Sequence, residues 1–261
     1  MAPCTAGHAE GKDGSATLAS CFPGFSPMKL LALETATEAC SVALHVDGQV
    51  LERFEVAPRR HAELALPWAG QLLAEAGIAR AQLDAIALSR GPGAFTGVRL
   101  AIAIAQGIAL ALDRPLLPVS TLQVLAMQAP EEATHVLASI DARMGEVYAA
   151  RCVRTGEGLW DTQGPEVVIA PDALQLPDDG SRWAGVGTGF AAAEGLLADR
   201  LRPRLSSLDA QALPRASDVL RIAMPAFARG EGIAPEQVQP AYLRDNVALT
   251  LVEQQALRAS R

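Results

Sequence analysis

The sequence predicts an α/β protein built of two related halves. Three observations carry the prediction. One order of elements (strand, acid-bearing polar turn, hairpin, helix, strand, helix) runs from Leu30 and again from Val136. Residues 83–121 read as strand, glycine-rich turn, long apolar helix, proline stop and second strand. The chain has 261 residues, half of them hydrophobic, enough to bury one large core or two smaller ones.

Residues 1–27 stand apart. Gly, Ser, Ala and Pro dominate and no hydrophobic period appears, so the stretch reads as a disordered extension. Glu10 and Asp13 precede any apolar run, which does not fit a secretory signal, and Met28 is a candidate start. The first half then spans residues 28–122. Leu30 to Leu33 is a strand, Glu34 to Glu38 a polar turn, and Cys40 to Val46 alternates as a second strand. Asp47-Gly48 is a hairpin turn, returning along Gln49 to Val56. His61 to Ala76 reads as a helix with Leu64, Trp68, Leu72 and Leu73 on one face, and Pro67 kinks it or delays its start. Ile86 to Leu88 is a buried strand, and Gly91, Pro92, Gly93 and Gly97 break the pattern.

From Val98 to Leu112 the chain is almost wholly Ala, Ile, Leu and Val, until Pro115 stops it. A surface helix should show a polar face, and this one has only Arg99, Gln106 and Asp113. At about fifteen residues it falls short of the ~20 of a membrane span. Ala103, Gly107 and Ala111 recur every four residues, as do Ala101, Ala105 and Ala109. Such stripes admit a close backbone. Periodicity alone leaves open whether this chain or another one covers the helix.

The second half spans residues 123–248, with a tail at 249–261. Val136 to Ile140 is a strand, Asp141 to Gly145 a polar turn, Glu146 to Arg154 a strand, and Trp160 to Val168 its return. A helical start near Pro171, a strand at Trp183 to Val186, a loop at Gly185 to Gly189 and helices at Ala191 to Leu201 and Ser217 to Arg229 follow. Val238 to Leu243 is extended, and the tail has helical periodicity.

Composition excludes several function classes. Net charge is -7, from 22 basic and 29 acidic residues, which disfavours a stand-alone nucleic-acid binder. Lys12 and Lys29 are the only lysines, and neither follows a phosphate-binding glycine loop. Cys4, Cys21, Cys40 and Cys152 form no pair of zinc or redox spacing, and the four histidines form no ligand pair, so no metal site is expected. Ser41, Ser89 and Ser120 sit in no nucleophile elbow, and no catalytic residue emerges.

Glu34 and Asp141 take equivalent places after the first strand of each half. Two carboxylates there could hold a hydrated Mg²⁺ against nucleotide phosphates, with Gly187 in the 185–189 loop near an adenosine. The alternative is that each acid caps its turn. Neither turn has the glycine pair that lets phosphate approach, the extra methylene of Glu34 shifts a ligand, and Arg143 competes for Asp141. The 91–97 loop could likewise bind an anion or simply fix how the helix enters.

Five segments together carry a resemblance: LLALETATEACSVAL (30–44), RRHAEL (59–64), SRGPGAFTGVRLAIAIAQGIAL (89–110), IDARMGEVYAA (140–150) and PAYLRDNVA (240–248). In order and spacing the chain from Met28 to Ala248 resembles the bacterial TsaB (YeaZ) family, with GPG-x-FTG-x-R the most specific element. The resemblance implies a two-domain actin/Hsp70-like (ASKHA) fold in a cytoplasmic protein. It implies a non-catalytic scaffold for threonylcarbamoyl modification of adenosine 37 in tRNAs reading codons that begin with adenine. The implied partners are a catalytic TsaD-like subunit and a TsaE-like ATPase, with a homodimer when TsaD is absent. ATP and metal then belong to the partners, tRNA is met only through the complex, and no membrane is involved. The partner face implied lies on the helices of the first half: His61, Leu64, Trp68, Gly91, Phe95, Thr96, Arg99, Ala103, Gly107 and Ala111. Glu34 departs from the family's usual Asp. The rival readings are a stand-alone ATPase of the actin/Hsp70 type and a degenerate glycoprotease-like metallopeptidase.

Overall fold

The computed structural model describes residues 8–10, 16–21 and 28–244. The first sheet contains β1 (His8–Glu10), β2 (Ala16–Cys21), β3 (Lys29–Glu34), β4 (Ala39–Val46) and β5 (Gln49–Val56). After α1 (His61–Glu75) come β6 (Ala85–Ser89), α2 (Phe95–Leu112) and β7 (Leu116–Val119). Its spatial order is β1-β2-β5-β4-β3-β6-β7. The hairpin strands pair antiparallel, whereas β3, β6 and β7 run parallel.

The chain continues through α3 (Thr121–Ala126), β8 (His135–Arg143), β9 (Glu146–Arg154), β10 (Trp160–Thr162), β11 (Val167–Ile169), β12 (Trp183–Val186), α4 (Leu196–Leu201), β13 (Leu205–Asp209) and α5 (Ala216–Ala228). The second sheet is ordered β10-β9-β8-β12-β13, with β11 also on β9. It repeats the scheme of the first: an antiparallel hairpin followed by two parallel strands beside the first strand. Two mixed sheets of one topology, each flanked by helices, make a two-domain actin/Hsp70-like fold.

Alternation along the strands assigns the layers. In β3, Leu31 and Leu33 pack toward α1 and α2, whereas Leu30 and Ala32 pack toward α5. Strands covered on both faces read as continuous apolar runs, as β3 and β6 do. The packing also crosses chain order. α3 follows the first sheet, but Leu122 and Leu125 pack with Val136, Ala138 and Ile140 of the second. α5 follows the second sheet, but Val219, Leu220 and Ala223 pack on the first. Glu52 on β5 fixes that return. It is buried, and it accepts from the Ser217 amide at 3.0 Å, the Ser41 hydroxyl at 2.8 Å and Arg215 Nε at 3.1 Å.

Several expectations need correction. α1 starts at His61, so Pro67 neither delays nor ends it. α2 has 18 residues, not about fifteen, and is long and apolar enough to cross a membrane. Length therefore decides nothing. Val98, Ile102, Ala105 and Ala109 instead lay one side of α2 on the first sheet. No helix begins near Pro171, where turns follow β11, and the helix expected from Ala191 is confined to α4 because Glu194 and Gly195 take positive φ. The Trp160 to Val168 return is two short strands separated at Gly164 and Pro165. α3 and β13 were not anticipated, though Ser120 caps α3 by accepting from the Leu122 amide at 3.1 Å. Within the expected disordered extension, β1 and β2 are strands added to the β5 edge, and the rest of residues 1–27 lies outside the described residues. So does the tail beyond residue 244.

Candidate functional site

The two acids end up in unlike surroundings. Glu34 is the last residue of β3 and has no exposed surface. Its Oε1 accepts the Ala36 N–H at 2.6 Å, and its Oε2 is buried without a formed hydrogen bond. Burial pushes the carboxyl up to about 7, with the neighbouring Ser89 hydroxyl and the Ala36 amide pulling the other way. Asp141 is half-buried near the end of β8. Its Oδ1 accepts the Arg143 amide and its Oδ2 the Arg143 guanidinium, both at 2.8 Å. Arg143 therefore engages both carboxylate oxygens.

The glycine loops explain why. Thr35 donates its hydroxyl to the Gly97 carbonyl at 2.8 Å, and the Ala94 amide donates to the Ala36 carbonyl at 2.7 Å. A Cβ at Gly97 would run into the Thr35 carbonyl. The 91–97 loop thus seats α2 on the 34–38 turn, backbone against backbone. Gly187 does the same in the second half. Its φ is +106°, its amide donates to the Asp209 carbonyl at 2.8 Å, and a Cβ there would meet the Ser139 carbonyl and the Leu125 side chain. A side chain at Gly187 would therefore not fit between β8 and α3. Among the described residues, no group of three His, Cys, Asp or Glu side chains could hold a metal ion.

The outer side of α2 differs. Phe95, Thr96, Ala103, Gly107, Leu110 and Ala111 are exposed, and a Cβ built at Gly107 meets nothing within 4 Å. Phe95 and Leu110 are each 66% exposed, and Leu66 of α1 is 52% exposed. Of the ten residues expected on the partner face, these include Phe95, Thr96, Ala103, Gly107 and Ala111. His61, Leu64 and Arg99 are half-buried. The His61 Nε2–H is shared between the Thr37 and Ala39 carbonyls at 3.0 and 3.1 Å, so His61 supports the turn. Trp68 and Gly91 are corrections: both are buried, Trp68 in the core with Leu72, and they face inward. Sequence reasoning passed over Leu66, Gly70 and Ala74 of α1, a second four-residue stripe readable in the sequence.

Comparisons with known proteins fit this architecture. Residues 54–251 match the family model "TsaD: tRNA N6-adenosine threonylcarbamoyltransferase". The Escherichia coli K12 "tRNA threonylcarbamoyladenosine biosynthesis protein TsaB" is 44% identical over 226 residues, 85% of this chain and 96% of that protein. The chain belongs to the TsaB (YeaZ) family. The Haemophilus influenzae TsaB is 39% identical, over 84% of this chain and 95% of its own. The solved structure "YeaZ from Pseudomonas aeruginosa" superposes with a TM-score of 0.75 at 47% identity, covering 83% of this chain and all of that one.

Proposed function

We propose that this chain is an accessory subunit in tRNA threonylcarbamoyladenosine biosynthesis, a cytoplasmic scaffold that activates a TsaD-like catalytic partner. The supporting observation is the outer face of α2. A helix rich in Ala and Gly, exposed at Ala103, Gly107 and Ala111, offers a seat for another helix at close range. Free chains would self-associate through this face, and the catalytic partner would replace the second copy. A TsaE-like ATPase joins that pair, and tRNA is met only through the assembly. Adenosine 37 is the modified nucleotide on this reading, with ATP and metal held by the partners.

The family model's description as a transferase favours a second reading, in which this chain is itself an enzyme. Burial of Glu34 and the hold of Arg143 on Asp141 weigh against it. Co-purification of the full chain with its own TsaD-like subunit separates the two. The scaffold reading expects a stable hetero-complex replacing the self-associated form, with modification only when both chains are present. A chain that ignores the partner and hydrolyses ATP alone overturns it. Gly107→Leu sharpens the test. The open space at Gly107 lets the variant fold, while its side chain blocks close approach, so pairing should weaken at least 100-fold, about 2.7 kcal/mol.

A further inference from the structure

A cavity of about 540 Å³ is lined by residues of both lobes, a volume in the range of small-molecule sites. The first lobe supplies Arg90, just past β6. The start of α3 supplies Ser120 and Gln123, and the second lobe supplies Thr162 of β10 and Glu166, just before β11. Tyr242, whose hydroxyl accepts from Arg99 Nη2, also lines it. The cavity thus holds one charge of each sign, and the two make no ion pair with each other. Arg90 is half-buried and its backbone is pinned: the amide donates to the Val119 carbonyl at 2.9 Å, and the carbonyl accepts the Ala241 amide at 2.8 Å. Among the described residues its guanidinium makes no hydrogen bond, so all five N–H donors remain for a ligand. Glu166 is half-buried too. Its Oε1 accepts the Ser120 hydroxyl, which leaves Oε2. Burial pushes this carboxyl up, while the Ser120 hydroxyl and the Arg90 charge pull the other way.

We propose that this cavity binds a small zwitterion of the α-amino-acid class, with its carboxylate on Arg90 and its ammonium on Glu166. The proposal does not depend on the partner-face reading. A simple anion satisfies Arg90 but shares the cavity with the Glu166 charge, and a phosphate, carrying up to two charges, is repelled more strongly. A metal cation or a plain amine meets the reverse difficulty at Arg90. One molecule that carries both charges pairs with both groups and leaves the cavity neutral. The planar guanidinium fork matches a carboxylate through two parallel hydrogen bonds. An ammonium has three donors, and the Glu166 carboxylate, the Thr162 hydroxyl and the Gln123 amide oxygen are the acceptors among the lining side chains. Gln123 is held for this, since its Nε2 donates to the Trp160 carbonyl at 3.3 Å. The remaining volume takes the side chain of the ligand. Because the two lobes contribute opposite charges, the bound zwitterion would also tie them together.

Titration of the full chain with the standard L-amino acids, one at a time and followed by ligand-observed NMR and calorimetry, tests this. At least one should bind below about 10 mM, and binding by none of them overturns the proposal. For the tightest binder, the N-acetyl and the carboxamide derivatives should each lose about tenfold or more in affinity, because each removes one of the two charges. Arg90→Gln and Glu166→Gln should cost as much, with a thermal melt as the folding control. Arg90→Lys, which keeps the charge and loses the fork, should cost about threefold to tenfold. Acetate and inorganic phosphate should not compete at equal concentration. Competition by either one, a derivative that binds as well as its parent, or affinity unchanged in both charge-removing variants overturns the zwitterion assignment. If either of those variants fails to fold, Thr162→Phe takes its place by adding bulk at the cavity wall. It should cost about tenfold or more, and unchanged affinity there means that the ligand binds elsewhere and the proposal fails.

Discussion

The two lobes share a strand order but dress their outer faces differently. The first sheet is covered by α1 and α2, of 15 and 18 residues. The second is covered by α4, of six residues, together with turns. Under α4 the packing uses large side chains, with Trp183, Phe190 and Leu197 buried together. Under α2 it uses Val98, Ala105 and Ala109, and the far side of the helix is left open. A duplicated frame has thus diverged by helix layer: one lobe covers its outer face with large side chains, and the other leaves a small-residue face open. In the turns after the first strand of each lobe, Glu34 is buried and Asp141 is held by Arg143.

Glu52→Ala should have the largest effect on this arrangement. The buried carboxylate holds the start of α5, contributed by the second half of the chain, onto the first sheet. Its loss leaves the Ser217 amide and Arg215 without their acceptor, at a cost of about 3 kcal/mol or more. Urea unfolding should show the drop and, with α5 released, should separate the lobes into two transitions. A single unshifted transition would mean that α5 is not what couples them.

Glu34→Gln comes next and distinguishes the lobes by pH. The folded carboxyl titrates near 7 against an ordinary 4.5, so the folded state keeps its proton longer than the unfolded chain. Stability from this group therefore falls as pH rises from about 4.5 to 7, and the penalty is complete above that range, at about 3 kcal/mol. Asp218 on α5, raised by burial to about 6, adds a slope of the same sign at lower pH. The neutral amide of the Glu34→Gln variant should remove the upper part of the slope. That variant should melt higher than the parent at pH 8, with no change at pH 4. Modification activity of the assembled complex should persist. Its complete loss in a folded variant would revive the two-acid site.

Much of this was legible before the fold. The hairpins, α1, α2 and the repeated order follow from alternation, Asp-Gly turns and apolar runs, which are local signals. What escaped was set by tertiary contacts. β13, with sequence LSSLD, is a strand because β12 offers it a parallel edge. The 191–195 stretch has the composition of a helix, yet Glu194 and Gly195 hold positive φ there. The site divides in the same way. Arg143 as the competitor for Asp141 could be read two residues along the chain, whereas the surroundings that bury Glu34, Ser89 of β6 among them, come from distant sequence. Trp68 was misplaced because a helix with one apolar stripe does not announce which of its residues face a sheet and which face a partner. Tyr242 meets Arg99 across 143 positions, beyond any local pattern.

The smallest predicted effect is the most pointed. Gly107 sits inside α2, where glycine costs about 0.5–1 kcal/mol relative to alanine, and nothing in this chain crowds the position. Gly187 in the second lobe offers the opposite case, because its φ of +106° and the Ser139 carbonyl beside it both demand glycine. Gly107→Ala should therefore stabilise the free chain by up to about 1 kcal/mol, raising its melting temperature by a few degrees or less. The same methyl group lies where a partner backbone would come closest, so hetero-complex affinity should fall as stability rises. Opposite signs in the two measurements would tie the glycine to association rather than to folding. If stability and affinity both rose, the closest approach of the partner would lie elsewhere on the face, toward Leu66 and Leu110.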